Sequence, residues 1–201
     1  TGVLRGIKDW VGEVRDDVDY AKYETFAVNA AYQIYLLTGE IDRLLDAGKR
    51  IEIPVFAVLS AEDVTIDAGR AREVFRRYTS SEHNVVIMYA RDPQPAICAG
   101  SGNIYCEGSY LPELRIRDFS HVALPMPCDD PHYGLRGGYK SCLHYGADQG
   151  KRGICRNEDT VWQGEISDDN LQAFTLRRLT CNPKFAGMRE RLDQFLSSVA
   201  R

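Results

Sequence analysis

An α/β fold is the class this sequence predicts. Three observations carry it: a continuous apolar run at residues 55–59 (Val-Phe-Ala-Val-Leu), another at residues 84–90 (Asn-Val-Val-Ile-Met-Tyr-Ala), and a segment of helical periodicity between them, Ala68–Tyr78. Short unbroken apolar runs suit strands covered on both faces, and a strand–helix–strand order implies a parallel pair joined by a crossover. In such sheets the functional edge lies at the C-terminal ends of the strands.

Each element has its own signal. Residues 1–50 read as helical: Ala30, Ile34, Leu37 and Ile41 keep a helical stripe, and Gly39 predicts a break into two helices, the second short. Pro54 opens the first strand. In the following helix Ala71, Val74, Phe75 and Tyr78 face inward, arginines face outward, and Asp67 is the expected N-cap. Residues 91–112, rich in proline and glycine, predict a long loop, and long ordered loops are often functional. Residues 114–119 alternate as a short strand, residues 125–160 read as irregular, and residues 184–199 form an amphipathic helix on Phe185, Met188, Leu192, Phe195, Leu196 and Val199. The expected organisation is a helical segment over 1–50 and an α/β part over 51–201.

Composition excludes several classes. The 201 residues are 44% hydrophobic and 27% charged, enough for a core of ordinary proportions. A net charge of −4 offers no basic field for nucleic acid or anionic membrane. No apolar run approaches the roughly 20 residues that span a bilayer. The chain opens on Thr1, with no basic and apolar leader after it, which fits a processed chain or a proteolytic product. Cys98, Cys106, Cys128, Cys142, Cys155 and Cys181 fall short of disulfide-scaffold density, so separated thiols in a cytosolic enzyme are the ordinary reading, and one or two disulfides in an exported enzyme the alternative. The run Cys128, His132, Cys142, His144, Cys155 has zinc-ligand residue types but lacks the paired Cys-x2-Cys element, and a Cys128–Cys142 bridge is the better expectation there.

The chemistry centres on Asp63 and His121. Asp63 follows the first strand by a short turn; His121 follows the 114–119 segment and precedes an apolar turn, Val122-Ala123-Leu124. An acid after one strand and a histidine after a later one match the last two members of a Ser…Asp…His triad in chain order. Turn aspartates also cap helices, and Glu62 and Asp67 compete for the acid role; His132 is the second choice for the base. The sequence contains no Gly-x-Ser-x-Gly elbow, and neither Ser60 nor Ser120 sits between glycines.

At these residues the sequence resembles a known family. Ile53-Pro54-Val55-Phe56-Ala57-Val58-Leu59-Ser60-Ala61-Glu62-Asp63 is similar to the seventh strand and acid turn of α/β-hydrolases, closest to the lysophospholipase and monoacylglycerol-lipase-like branch. Lys22-Tyr23-Glu24-Thr25-Phe26, with Asn29-Ala30 after it, resembles the return from lid to core, and Ser120-His121-Val122-Ala123-Leu124-Pro125 with Asp129-Asp130-Pro131-His132-Tyr133-Gly134 the histidine loop and its extension. The separation of Asp63 from His121 exceeds the compact family pattern. The resemblance implies the C-terminal portion of a hydrolase sheet with flanking helices and a partial helical lid at 1–50. It implies ester hydrolysis of an acyl ester or lipid-like substrate, Asp63 as triad acid and His121 as base, with no cofactor or metal. Without a nucleophile the chain is expected to be inactive alone. Its incomplete sheet is expected to pair with a missing N-terminal half, to self-associate, or to be covered by its own helices; a non-catalytic interaction module is the alternative.

Overall fold

A computed structural model of the chain describes residues 10–11, 19, 26–94, 98 and 103–200. It divides into two compact units, Thr1–Arg50 and Ile51–Arg201. Helices and small parallel sheets make it an α/β structure.

In the first unit β1 (Trp10–Val11) pairs antiparallel with β2 (Phe26–Ala27), and α1 (Val28–Asp46) follows. Residues 22–25 of the stretch likened to a lid return lie outside the described residues. The expected break at Gly39 does not occur; α1 is one helix of 19 residues. A glycine costs about 1 kcal/mol against alanine inside a helix, too little to stop one. The stop comes at Gly48, whose φ of 81° places it in the left-handed region, with its N–H on Leu45 O and Lys49 N–H on Leu44 O. The apolar stripe is not buried: Ile34 is 55% and Leu37 60% exposed.

The second unit is built on a parallel sheet of β3 (Phe56–Ser60), β4 (Val85–Ala90) and β5 (Asn103–Gly108), in the order β3-β4-β5. The crossover helix α2 (Ala68–Tyr78) is capped by Asp67, whose carboxylate accepts from Arg70 N. β4 is the central strand and its residues Val86 to Ala90 are fully buried or nearly so. Its Ile87 and Tyr89 pack with Ile116, Phe119, Leu124 and Leu179 in the core.

Three sequence expectations change. The expected loop 91–112 contains β5, in register with β4 from Asn103↔Val85 to Gly108↔Ala90; the glycine-rich stretch before it hides its alternation. The expected strand 114–119 is instead a one-turn 3-10 helix, Pro112–Leu114, then Arg115 at a φ of 53°, then a reversal closed by Leu111 N–H on Ile116 O and Ile116 N–H on Leu111 O. The irregular stretch 125–160 contains α3 (Gln149–Asn157), where Gly150 and Gly153 dilute the periodicity and only Cys155 is buried. Beyond it, β6 (Trp162–Gly164), α4 (Asp168–Ala173) and β7 (Leu176–Arg178) form a small second βαβ unit. The C-terminal helix α5 (Phe185–Val199) appears where its periodicity predicts it, with Met188 and Phe195 buried.

The cysteines also differ from expectation. All six are bridged, as Cys98–Cys106, Cys128–Cys181 and Cys142–Cys155. Cys128 therefore does not pair with Cys142, and the cysteines of the zinc-type run are consumed. His144 makes no metal site with them: its Nε2–H donates to Leu176 O at 3.0 Å. Burial pushes its pKa down to about 4, with the positive charge of Arg178 adding to the effect and the bond to Leu176 opposing it.

This scaffold can be tested at a bridge and at a histidine. Replacing Cys128 and Cys181 together by serine opens a bridge across 53 residues, and is expected to cost about 2–5 kcal/mol in urea unfolding. For His144 the folded pKa lies below the unfolded one, so its contribution to stability is complete above about pH 6.5 and is lost as pH falls toward about 4. Burial raises the carboxyl pKa values of Glu62 and Glu165, which act in the opposite sense. The measurable consequence is thus a difference: His144→Gln should lose stability less steeply than the wild type over that window, in denaturant melts run at each pH.

Candidate active site

The site lies at the C-terminal end of β3. Asp63 sits in the turn that follows Ser60, with its N–H on Ser60 O at 3.3 Å. Its Oδ1 accepts from Thr65 N at 2.7 Å and Ile66 N at 2.8 Å. These two bonds fix the carboxylate and turn Oδ2 toward His121, whose Nδ1 lies 2.9 Å away. The Asp63 side chain is 1% exposed and that of His121 31%.

His121 begins a one-turn 3-10 helix, His121–Ala123. Two buried serines hold the chain that leads into it. Ser60 Oγ donates to Phe119 O at 2.6 Å, tying β3 to the residue before last, and Ser120 Oγ donates to Leu179 O at 2.7 Å. Both hydroxyls are therefore spent on backbone carbonyls, which gives them a structural role and removes them as nucleophiles. Phe119 itself is fully buried against Tyr89, ring centroids 4.9 Å apart.

A third group, absent from the sequence expectations, completes the cluster. Glu165 follows β6, is fully buried, and brings Oε2 to 4.0 Å from His121 Nδ1. Its Oε1 accepts from Ile166 N at 2.7 Å and lies 3.4 Å from Arg178 Nη1. Burial raises the Glu165 pKa, Arg178 pulls it back, and Asp63 pushes it up again. Asp63 Oδ2, His121 Nδ1 and Glu165 Oε2 are all buried, and none forms an aligned hydrogen bond. Asp63 Oδ2 and His121 Nδ1 are thus in close contact at 2.9 Å without an aligned hydrogen bond between them. Catalytic hydrogen bonds are often bent in unliganded sites and tighten on binding. The same three atoms lie within 4.8 Å of one another and supply a donor set for a cation of two carboxylates and one imidazole.

Glu165 is placed by a second buried acid. Asp118 Oδ1 accepts from Glu165 N at 2.7 Å, and its Oδ2 from Asn170 Nδ2 at 2.9 Å and Arg91 Nη2 at 2.6 Å. Arg91 N–H in turn donates to Glu62 Oε1 at 2.7 Å, so Glu62, a rival for the acid role, belongs to this network. His132 and His83 lie elsewhere: His132 stacks with Tyr139, and His83 is beside Glu82 on the surface.

An apolar pocket of about 350 Å³ opens beside the cluster. His121 and Asp63 lie in its wall with Phe56, Val58, Leu124 and Met188. No family model, curated protein or solved structure matches the chain. No helix among the described residues is long and apolar enough to cross a membrane.

Gly164 tests the packing of this corner. A Cβ there would meet Asp118 Oδ1 at 2.6 Å. Gly164→Ala is expected to displace the Asp118 carboxylate and to lower stability by about 1–3 kcal/mol, the range for strained cores and disturbed buried polar groups. Thermal unfolding checks it, and an unchanged midpoint would contradict the crowding.

Proposed function

We propose that the chain supplies the acid and base of a serine carboxylic-ester hydrolase, with Asp63 orienting His121 and the nucleophile coming from residues outside it. One observation carries this reading: two side chains far apart in sequence meet at 2.9 Å, at the C-terminal end of a parallel strand and in the wall of an apolar pocket. On this reading residues 51–201 are the C-terminal portion of an α/β-hydrolase sheet and residues 1–50 a partial helical lid.

The chemistry follows from the ring. Nδ1 faces Asp63, so Nε2, on the opposite edge of the imidazole, is the nitrogen left for a serine hydroxyl. Asp63 holds the tautomer that keeps Nε2 basic, and it stabilises the imidazolium formed when His121 takes the hydroxyl proton; His121 then returns that proton to the leaving alcohol. The apolar pocket suits the acyl chain of a lipid-like ester. The missing serine is supported by the sequence, which has no Gly-x-Ser-x-Gly elbow, and by the commitment of Ser60 and Ser120 to backbone. Among the described residues β3 has a strand neighbour only on its β4 side, and its other edge is where strands of the nucleophile-bearing half would add.

The chain alone should turn over p-nitrophenyl butyrate no faster than buffer. The full natural product containing it should be labelled by a fluorophosphonate, and His121→Asn in that product should lower kcat by about 10⁶. A full product that resists the fluorophosphonate, or rapid inhibitor-sensitive turnover by the chain alone, would refute the proposal.

A further inference from the structure

We propose that Asp63, Glu165 and His121 form a three-ligand site for a divalent transition ion of the zinc class, and that the ion, when bound, takes His121 out of use as a base. The binding stands on the geometry alone; its effect on turnover rests on the hydrolase reading.

Three ligand atoms converge here. Asp63 Oδ2 lies 2.9 Å and Glu165 Oε2 4.0 Å from His121 Nδ1, and all three atoms fall within 4.8 Å of one another. Two ligands on one ion with bonds of about 2.0–2.2 Å stand up to about 4.4 Å apart, so the set closes on an ion with small side-chain rotations. The two acidic side chains are 1% and 0% exposed, and none of the three atoms has a hydrogen-bond partner. Buried polar atoms left unpaired are costly. One proton cannot serve all three, because Glu165 Oε2 is beyond hydrogen-bond reach of the ring. An ion between them satisfies each at once.

The surroundings match such an ion. Each acid has its other oxygen held by backbone N–H groups, Asp63 Oδ1 by Thr65 and Ile66 and Glu165 Oε1 by Ile166; bonds of this kind orient ligands around a metal. The two carboxylates bring two negative charges and Arg178, 3.4 Å from Glu165, offsets one, which leaves a net negative charge to attract a cation. An imidazole among the ligands favours zinc-class ions over magnesium and calcium. All six cysteines are bridged, so no thiolate competes for the ion. Asp63 and His121 also line the apolar pocket, which gives the ion a way in and a place for water as a further ligand. Coordination through Nδ1 uses that nitrogen's lone pair. The Nδ1 proton leaves to solvent and Nε2 takes one up, with no net proton released, so the neutral ring carries its hydrogen on Nε2. Nε2 is then a donor and cannot accept the hydroxyl proton of a serine.

Zinc binding to the chain itself tests the site. Calorimetric titration of metal-free, fully bridged chain should show one Zn²⁺ per chain, with Mg²⁺ and Ca²⁺ bound far more weakly. Changes around a metal's ligands alone cost about 10–100-fold in affinity, so Asp63→Asn, Glu165→Gln and His121→Asn should each weaken zinc by about 100-fold or more, whereas His83→Asn, on the surface, should leave it unchanged. In ¹⁵N-histidine-labelled chain, two-bond ¹H–¹⁵N spectra should show zinc shifting the His121 Nδ1 resonance and leaving the hydrogen on Nε2, a readout in wild type that needs no variant to fold. Absence of saturable binding below about 1 mM zinc, unchanged affinity in an acid variant that amide spectra show to be folded, or a His121 ring unaltered by zinc would overturn the site. In the full natural product zinc should inhibit p-nitrophenyl butyrate turnover and EDTA should restore it. Activation by zinc, or turnover unchanged at concentrations that saturate the chain, would overturn the switch. If the chain binds zinc as stated while the full product resists the fluorophosphonate, the ion site stands and the hydrolase reading falls. If the full product is labelled while the chain binds no zinc, the hydrolase reading stands and the ion site falls.

Discussion

The geometry of the second unit depends on one buried charge that never touches the imidazole. Asp118 is fully buried and gathers the side chain of Arg91 from the end of β4, Asn170 from α4, and the backbone N–H of Glu165 after β6. Taking a carboxylate into the interior costs several kcal/mol, recovered only where its partners are close and its lone pairs filled. Here they are filled from three separate elements, so the elements cannot drift without exposing the charge. Arg91 carries the constraint further: its own N–H holds Glu62, the neighbour of Asp63. The acid turn and Glu165 are thus tied to one point, and the contacts around His121 rest on a network centred on Asp118, just before it in the chain.

The polar network and the apolar pocket divide the space around the histidine. Oxygens converge on Nδ1, whereas Phe56, Val58, Leu124 and Met188 line the open side. The two buried serines sit at the seam between these environments and close it with bonds to backbone carbonyls. A hydroxyl beside a histidine and an aspartate invites a catalytic reading, yet once it is donated to a carbonyl it no longer presents itself to a substrate.

Much of this is legible where the sequence signal is long or chemically unambiguous. The runs that form β3 and β4 are continuous and apolar, α2 has an aspartate cap and a clear stripe, and α5 repeats its apolar positions over four turns. The Asp63 turn and the histidine segment stand out by residue type and chain order. Other parts are not legible, for physical reasons. β6 and β7 have three residues each, too few to show a period. Gly39 has the residue type of a helix breaker without the energetic weight to act as one, and the alternation of residues 114–119 falls on a reversal in which Leu111 and Ile116 bond to each other. Glu165 is invisible because its burial comes from Asp118, 47 positions earlier. The one available signal is Gly164 before it, since a glycine in a strand marks a close approach; the approaching atom is an Asp118 oxygen. The disulfide partners are set by distance in space, which spacing along the chain does not reveal.

The bridges have a consequence for how the molecule is made. Cys142–Cys155 is nested inside the span closed by Cys128–Cys181. In a growing or newly released chain, the nearest partner for Cys128 along the sequence is Cys142, on the downstream side. Joining those two would strand Cys155 and Cys181 and hold the histidine loop away from the segment that leads into α5. A wrong Cys128–Cys142 pair can be reopened by thiol exchange. Bridges of this kind persist in oxidising surroundings, where thiol exchange sorts the nested pair from its nearer-neighbour rival.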